Sequence, residues 1–283
     1  MNIPFTKMHG CGNDYIYINC FETDIQHPEE LSKAMSNRRF GIGSDGLVLI
    51  CPSEIADAKM RMFNTDGSEG KMCGNAIRCV AKYVYDRKIA IKETLTIDTL
   101  SGIKTIDVTV SDGEVQTATV DMGKPILEPK NIPMNVEGVA PFINHPINVE
   151  GKTYSITPVS MGNPHCVLFC EDIYSLDLPK IGPLFEQHLL FPEGVNTEFI
   201  QVENKTSLRM RVWERGSGET WACGTGACAS VVATVLNGYC DKNTDVTVKL
   251  LGGDLIIRYT DDTVYMTGPA TTVFDGVYSW NNI

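Results

Sequence analysis

Basic residues are scarce in this sequence: 24 lysines and arginines stand against 35 aspartates and glutamates, a formal net charge of −11. Nothing supplies a basic stripe for a phosphate backbone, so nucleic acid is not an expected partner. Long apolar runs are missing too, and the opening MNIPFTKMHG has no signal-peptide core, so no membrane association is expected. The ten cysteines never fall as C-x-x-C. Their nearest spacings are Cys73-x5-Cys79, Cys166-x3-Cys170 and Cys223-x4-Cys228, which argues against a zinc ribbon or a thioredoxin-type redox pair. Without a secretion signal they read as reduced thiols of a cytoplasmic protein. No P-loop G-x-x-x-x-G-K-[ST] occurs, and no nucleotide-binding loop is expected.

What is present is a soluble composition, 43% hydrophobic and 21% charged, over 283 residues, enough for two domains with cores of their own. The stretch FNTDGSEGKMCGNAIRCVAKYVY, Phe63 to Tyr85, reads as a strand end, a glycine-rich turn and a helix opening at Cys73-Gly74-Asn75. Ala76, Ile77, Val80, Ala81 and Val84 form the buried stripe of that helix. A cysteine at such a helix start sits where unpaired backbone N–H groups and the positive dipole end favour a thiolate. Met210 to Val235, MRVWERGSGETWACGTGACASVVATV, repeats the order and ends in a second helix opening at Cys223-Gly224. The offset between the two cysteines also carries Gly12-Asn13 onto Gly162-Asn163 and Gly46–Ile50 onto Asn196–Ile200. Gly67-Ser68 meets Gly216-Ser217 one residue out of step. One register through four turns implies an internal duplication, with two similar halves facing each other across a cleft.

In chain order, short strands are expected at Pro4–Met8 and Tyr15–Asn19 around the turn His9–Asp14. A helix follows over Pro28–Arg38, with Pro at its first turn and Glu29 and Glu30 complementing the dipole. Strands are expected at Leu47–Ile50 and Lys59–Asn64. After the Cys73 helix come Thr94–Thr99, Lys104–Val110 and Val115–Asp121, the last two joined by a hairpin at Ser111-Asp112-Gly113-Glu114. Proline-rich Gly123–Gly151 reads as the connection, with room for a return strand of the second half. That half repeats the scheme: Tyr154–Ser160, Cys166–Phe169, a helix near Leu178–Leu189, Leu208–Glu214, the Cys223 helix, then Val246–Leu250, Asp254–Tyr259 and Val264–Thr267. The fold class is α+β, with two pseudo-symmetric domains, each a strand-rich sheet or barrel wrapped round a central helix.

If Cys73 and Cys223 face one another, one as thiolate removes a proton from carbon and the other as thiol returns one from the opposite face, inverting the centre. An amino-acid α-carbon is a very weak acid without an electron sink. Backbone N–H groups at Gly74-Asn75 and Gly224-Thr225 offset this by gripping the carboxylate as charge spreads into it.

The segments MHGCGNDYIYIN, NRRFGIGSDGLVLI, FNTDGSEGKMCGNAIRCVAKYV, VSMGNPHCVLF, FPEGVNTEFIQV and VWERGSGETWACGTGACA, in this order, resemble the signature segments of the diaminopimelate epimerases. The resemblance implies that family's fold and a two-base isomerase without pyridoxal phosphate, metal or other cofactor. The implied reaction interconverts L,L- and meso-diaminopimelate on the route to lysine and peptidoglycan. It implies Cys73 and Cys223 as the acid and base pair, with His165 and Glu214 close to them. Gly74, Asn75, Gly224 and Thr225 would hold the reacting carboxylate. Asn13, Asn64, Asn163, Asn196, Glu214 and Arg215 would bind the rest of the substrate. It further implies a homodimer, and halves at 1–124 and 125–267 with 268–283 packing back on the first. Position 46 is Gly where some members carry Gln, and Cys11 and Trp221 also depart from the pattern. The competing readings are a racemase of the same fold acting on another amino acid, a thiol redox or metal-binding protein, and a non-catalytic binding protein. Paired thiols would also make activity sensitive to oxidants and recoverable with reductant.

Overall fold

The structure, a computed structural model, describes residues 1–136, 138 and 140–280. Glu137 and Val139, within the expected connection, and Asn281, Asn282 and Ile283, at the end of the expected return segment, lie outside the described residues. The chain divides into two compact units: Met1–Val120 with the segment from Thr267 on, and Asp121–Met266.

The first unit opens with β1 (Asn2–Gly10) and β2 (Asn13–Asn19), then α1 (Pro28–Ser36), β3 (Gly46–Cys51), β4 (Ala58–Asn64) and the two-residue β5 (Glu69–Gly70). The long helix α2 (Gly74–Asp86) follows, then β6 (Thr94–Thr99), β7 (Gly102–Ser111) and β8 (Glu114–Asp121). Sheet neighbours run β1, β2, β3, β4, β6, β7, β8, with β5 folded back on β4. Among the neighbours just named, β2–β3 and β4–β6 are parallel, the two places where a helix makes the crossover. The expected six-residue turn at His9–Asp14 is a tight hairpin instead. Gly10 pairs with Asn13, and Cys11 (φ 53°) and Gly12 (φ 80°) are its two left-handed turn residues.

The second unit has the same succession: β9 (His145–Val149), β10 (Lys152–Ser160), β11 (Pro164–Phe169), α3 (Leu178–Glu186), β12 (Asn196–Asn204), β13 (Ser207–Glu214) and β14 (Gly218–Thr220). Then come α4 (Gly224–Leu236), β15 (Asp245–Leu250), β16 (Gly253–Tyr259) and β17 (Val264–Pro269), and the closing strand β18 (Thr271–Ser279). Here β9 flanks β10, and in the first unit β18 flanks β1. The duplication is visible in the register. Tyr15 pairs with Gly46 as His165 pairs with Asn196, and Met62 with Gly70 as Val212 with Thr220. The expected strands are all present, a residue or two longer at most ends, because hairpin pairing recruits the polar flanks.

Each thirteen-residue central helix is buried nearly all round. Helix α2 packs against β1, β2, β4, β6 and β7, and α4 against β10, β11, β12, β15 and β16, so each sheet wraps its helix. Small side chains let α4 in, and its two buried hydroxyls bond backward along the helix, Ser230 to Gly226 O (2.7 Å) and Thr234 to Ser230 O (2.6 Å). The shorter α1 and α3 cover the opposite sheet faces over cores containing Leu31, Leu47 and Phe63 in one unit and Phe185, Phe191 and Phe199 in the other. Gly41-Ile42-Gly43-Ser44-Asp45-Gly46 does carry the spacing of a dinucleotide loop. It runs from a helix into β3, the reverse of the strand-to-helix order that cradles a pyrophosphate.

Candidate active site

In the first unit Cys73 caps α2 with extended backbone (φ −132°, ψ 123°). Its half-buried thiol donates to Asn13 Oδ1 at 3.6 Å. Asn75 Nδ2 donates to the same oxygen at 3.3 Å, so Cys73, Asn13 and Asn75 converge. Asn13 Nδ2 in turn donates to Asp45 Oδ2 (2.7 Å). Arg38 bridges Asp45 (2.8 Å) and Asp14 (2.7 Å). The Asp14 carboxyl is desolvated by burial, but bonds from Arg38 and Lys7 outweigh this and hold it below the usual carboxylate range. Arg78 is fully buried and donates to Gly74 O (3.0 Å) and Asn75 Oδ1 (3.1 Å). Asn64 is exposed at the end of β4 and donates to Ser68 Oγ (2.9 Å) within the turn that leads to β5. Position 46 accepts glycine for a steric reason: a Cβ there would stand 2.2 Å from Phe63 O and 2.8 Å from the Tyr15 ring. A glutamine at this position would not fit this backbone.

In the second unit Cys223 caps α4 and is buried. Its sulfur accepts from Gly226 N at 3.3 Å and lies 3.5 Å from Thr225 Oγ1. Burial, then the carboxylates of Glu214 and Glu198, push this thiol well above its ordinary value, so it rests protonated. Glu214 is itself raised, mainly by burial, and accepts from the Thr220 hydroxyl while facing the Cys223 thiol. A chain of side chains leads away from the sulfur. Thr225 Oγ1 accepts from Asn163 Nδ2 (3.3 Å), Asn163 Oδ1 meets His165 Nε2 (3.0 Å), and His165 Nδ1 meets Glu198 Oε1 (2.7 Å). Asn196 ties the start of β11 to the residue just past β13, donating to Pro164 O (3.0 Å) and accepting from Arg215 N (2.9 Å). The Arg215 guanidinium donates to Glu193 O (2.9 Å).

Each unit therefore offers a thiol at a helix N-terminus, with Asn13 against it in the first and Thr225 and Glu214 against it in the second. Gly74 and Gly224 are the first residues of these helices, leaving their N–H groups without intrahelical acceptors and available to an anion. Sequence reasoning missed Asp45, Arg78 and Glu198. Arg78 interrupts an apolar helix face and Glu198 an apolar strand, the one signal that marked either.

The diaminopimelate epimerase family model matches residues 5–128 and 157–273. The chain is 56% identical to the diaminopimelate epimerase of Acetivibrio thermocellus over 281 residues, covering 99% of each chain. It is 56% identical to that of Methanococcus maripaludis, covering 97% of this chain and 99% of the relative. Among solved structures, a PhzF-family phenazine biosynthesis protein of Bacillus anthracis superposes with TM-score 0.75 at 17% identity, over 99% of this chain and 100% of the other. A probable proline racemase of Agrobacterium radiobacter gives 0.73 at 14% identity, over 99% and 93%. At these identities the two structures speak to the fold alone.

Proposed function

The chain belongs to the diaminopimelate epimerase family, isomerases of an amino acid, and we propose that Cys73 and Cys223 are the two bases of its reaction. It interconverts L,L- and meso-diaminopimelate, a step of lysine biosynthesis. The observation that carries the residue assignment is the duplication itself, which sets a cysteine at the start of a buried helix in each unit.

In this reading both thiols serve one substrate. One sulfur, as thiolate, takes the α-hydrogen as a proton, and the electron pair left on carbon spreads into the α-carboxylate. Backbone N–H groups at Gly74-Asn75 and Gly224-Thr225 stabilise that charge where it develops. The other sulfur, as thiol, delivers its proton to the opposite face, so configuration inverts and the two sulfurs have exchanged protonation states. Cys223 starts this cycle as the acid, since it rests protonated, and the neighbouring Glu214 accepts its hydrogen bond. Asn13, Asn64, Asn163, Asn196 and Arg215 hold the rest of the substrate, and no cofactor takes part. The protein works in the cytoplasm as a homodimer. No described helix is long and apolar enough to cross a membrane, and Val273, Phe274 and Val277 stand exposed on β18, surface that a second copy would cover.

The test is proton NMR of L,L-diaminopimelate in heavy water with reduced protein and nothing added. Loss of the α-proton signal with growth of the meso isomer is expected, and Cys73→Ala and Cys223→Ala should each abolish it. A folded, reduced protein that exchanges no α-proton would defeat the proposal.

A further inference from the structure

The two units share a backbone register, so each position has a counterpart against which it can be judged. Around the helix starts three packed positions differ together. Where the first unit has Tyr15, Val48 and Ala76, the second has His165, Glu198 and Gly226. Val48 and Glu198 are both fully buried, at matching places on β3 and β12. The first unit packs this site with hydrocarbon, so the fold does not need a carboxylate there.

The second unit holds one at evident cost. Glu198 Oε2 is buried with no hydrogen-bond partner among the described residues. Its other oxygen lies so close to the first turn of α4 that a Cβ on residue 226 would come within 2.6 Å of it, which is why the counterpart of Ala76 is glycine. From there the contacts run in one direction. Glu198 Oε1 fixes the fully buried His165 ring at 2.7 Å, His165 fixes Asn163 at 3.0 Å, and Asn163 fixes Thr225 beside the Cys223 sulfur.

We propose that Glu198 is a positioning residue for Cys223. Through His165 and Asn163 it fixes Thr225 and the helix start beside the sulfur. Within its own unit the titratable groups facing Cys223 are Glu214 from β13, Glu198 from β12 and His165 from β11. The two carboxylates act in the same direction on the thiol, and His165 joins one of them to the amide chain. The two thiols are therefore unlike: Cys223 has a carboxylate–imidazole–amide chain behind it, and at the matching places Cys73 has Tyr15 and Val48.

This inference rests on the two-base reading for its catalytic meaning but not for its test. Glu198→Gln keeps the shape and removes the charge, and Glu198→Val installs the first unit's residue. The pH dependence of iodoacetamide alkylation is followed at Cys223 by peptide mass mapping, which needs no substrate. In both variants the half-maximal pH is expected to fall by about one unit or more, as removal of a nearby like charge dictates. Turnover of diaminopimelate should fall about tenfold or more, with KM changed less than about threefold, the split expected of lost proton-transfer geometry. Melting temperatures establish folding, and if the valine variant does not fold the glutamine variant decides. A folded Glu198→Gln protein with an unchanged alkylation profile would overturn the inference. A shifted profile in a protein that never epimerises would sustain it and sink the two-base reading instead.

Discussion

Arg78 is the largest fully buried side chain, and its bonds explain why a cation tolerates that place. The guanidinium donates to Gly74 O, to Asn75 Oδ1 and to Pro269 O (3.3 Å), so one planar group ties the first turn of α2 to the end of β17. A lysine carries its charge at a point and cannot span these acceptors. Arg78→Lys should therefore cost about 3 kcal/mol of stability, the range for breaking buried charged contacts. It should also slow turnover, because Asn75 loses the group that orients it toward Asn13. Urea denaturation beside steady-state rates checks both, and unchanged stability would refute the argument. Such residues were hard to see beforehand. Cys73 and Cys223 announced themselves by being repeated, whereas Arg78 and Glu198 mattered through partners that only folding brings near. The mismatch of Val48 with Glu198 was visible in the repeat, but with no knowledge that either faced a thiol it carried no meaning.

Among the elements, the central helices were the most legible because a Cys-Gly opening, small residues and an apolar stripe agree in each. The strands flanked by glycine turns were legible too. Strands β5 and β14 were not, being two and three residues between turns, too short for any period. Strand β18 was visible only as a tail that packs back, since its residues are mostly exposed and alternate little. Its pairing with β1 nonetheless spans almost the whole length of that strand, and Asp275 binds both Thr6 (2.5 Å) and Arg87 (2.6 Å). Deleting the chain from Thr271 on should leave β1 half-paired and open the first unit while the second persists. Limited proteolysis with mass mapping should then show cuts throughout Met1–Val120 and a resistant fragment near Asp121–Met266. Equal resistance of both units would contradict this.

For the whole molecule, buried thiols set the alkaline limit. Burial raises Cys79, in the first unit, from the ordinary thiol value of 9.0 to about 11. In the second unit burial, with Glu198 adding to it, lifts Cys166 well above that value, and Cys223 is lifted likewise. Unfolded, each thiol ionises near its ordinary value; folded, each keeps its proton to higher pH. Between those points the folded state binds more protons, so stability falls as pH rises. Melting temperature should therefore decline from about pH 9 upward, with the Cys79 contribution to the decline ending near 11. A melting temperature that holds level or climbs over that range would be inconsistent with thiols buried in both units.

The return of β18 to the side of β1 also bears on how the protein is made. The unit written first cannot close its sheet until nearly everything else has left the ribosome, while Asp121–Met266 is one unbroken stretch. The later-encoded half is thus free to fold first, and a growing chain must carry an unfinished β1 edge through the synthesis of the entire second half.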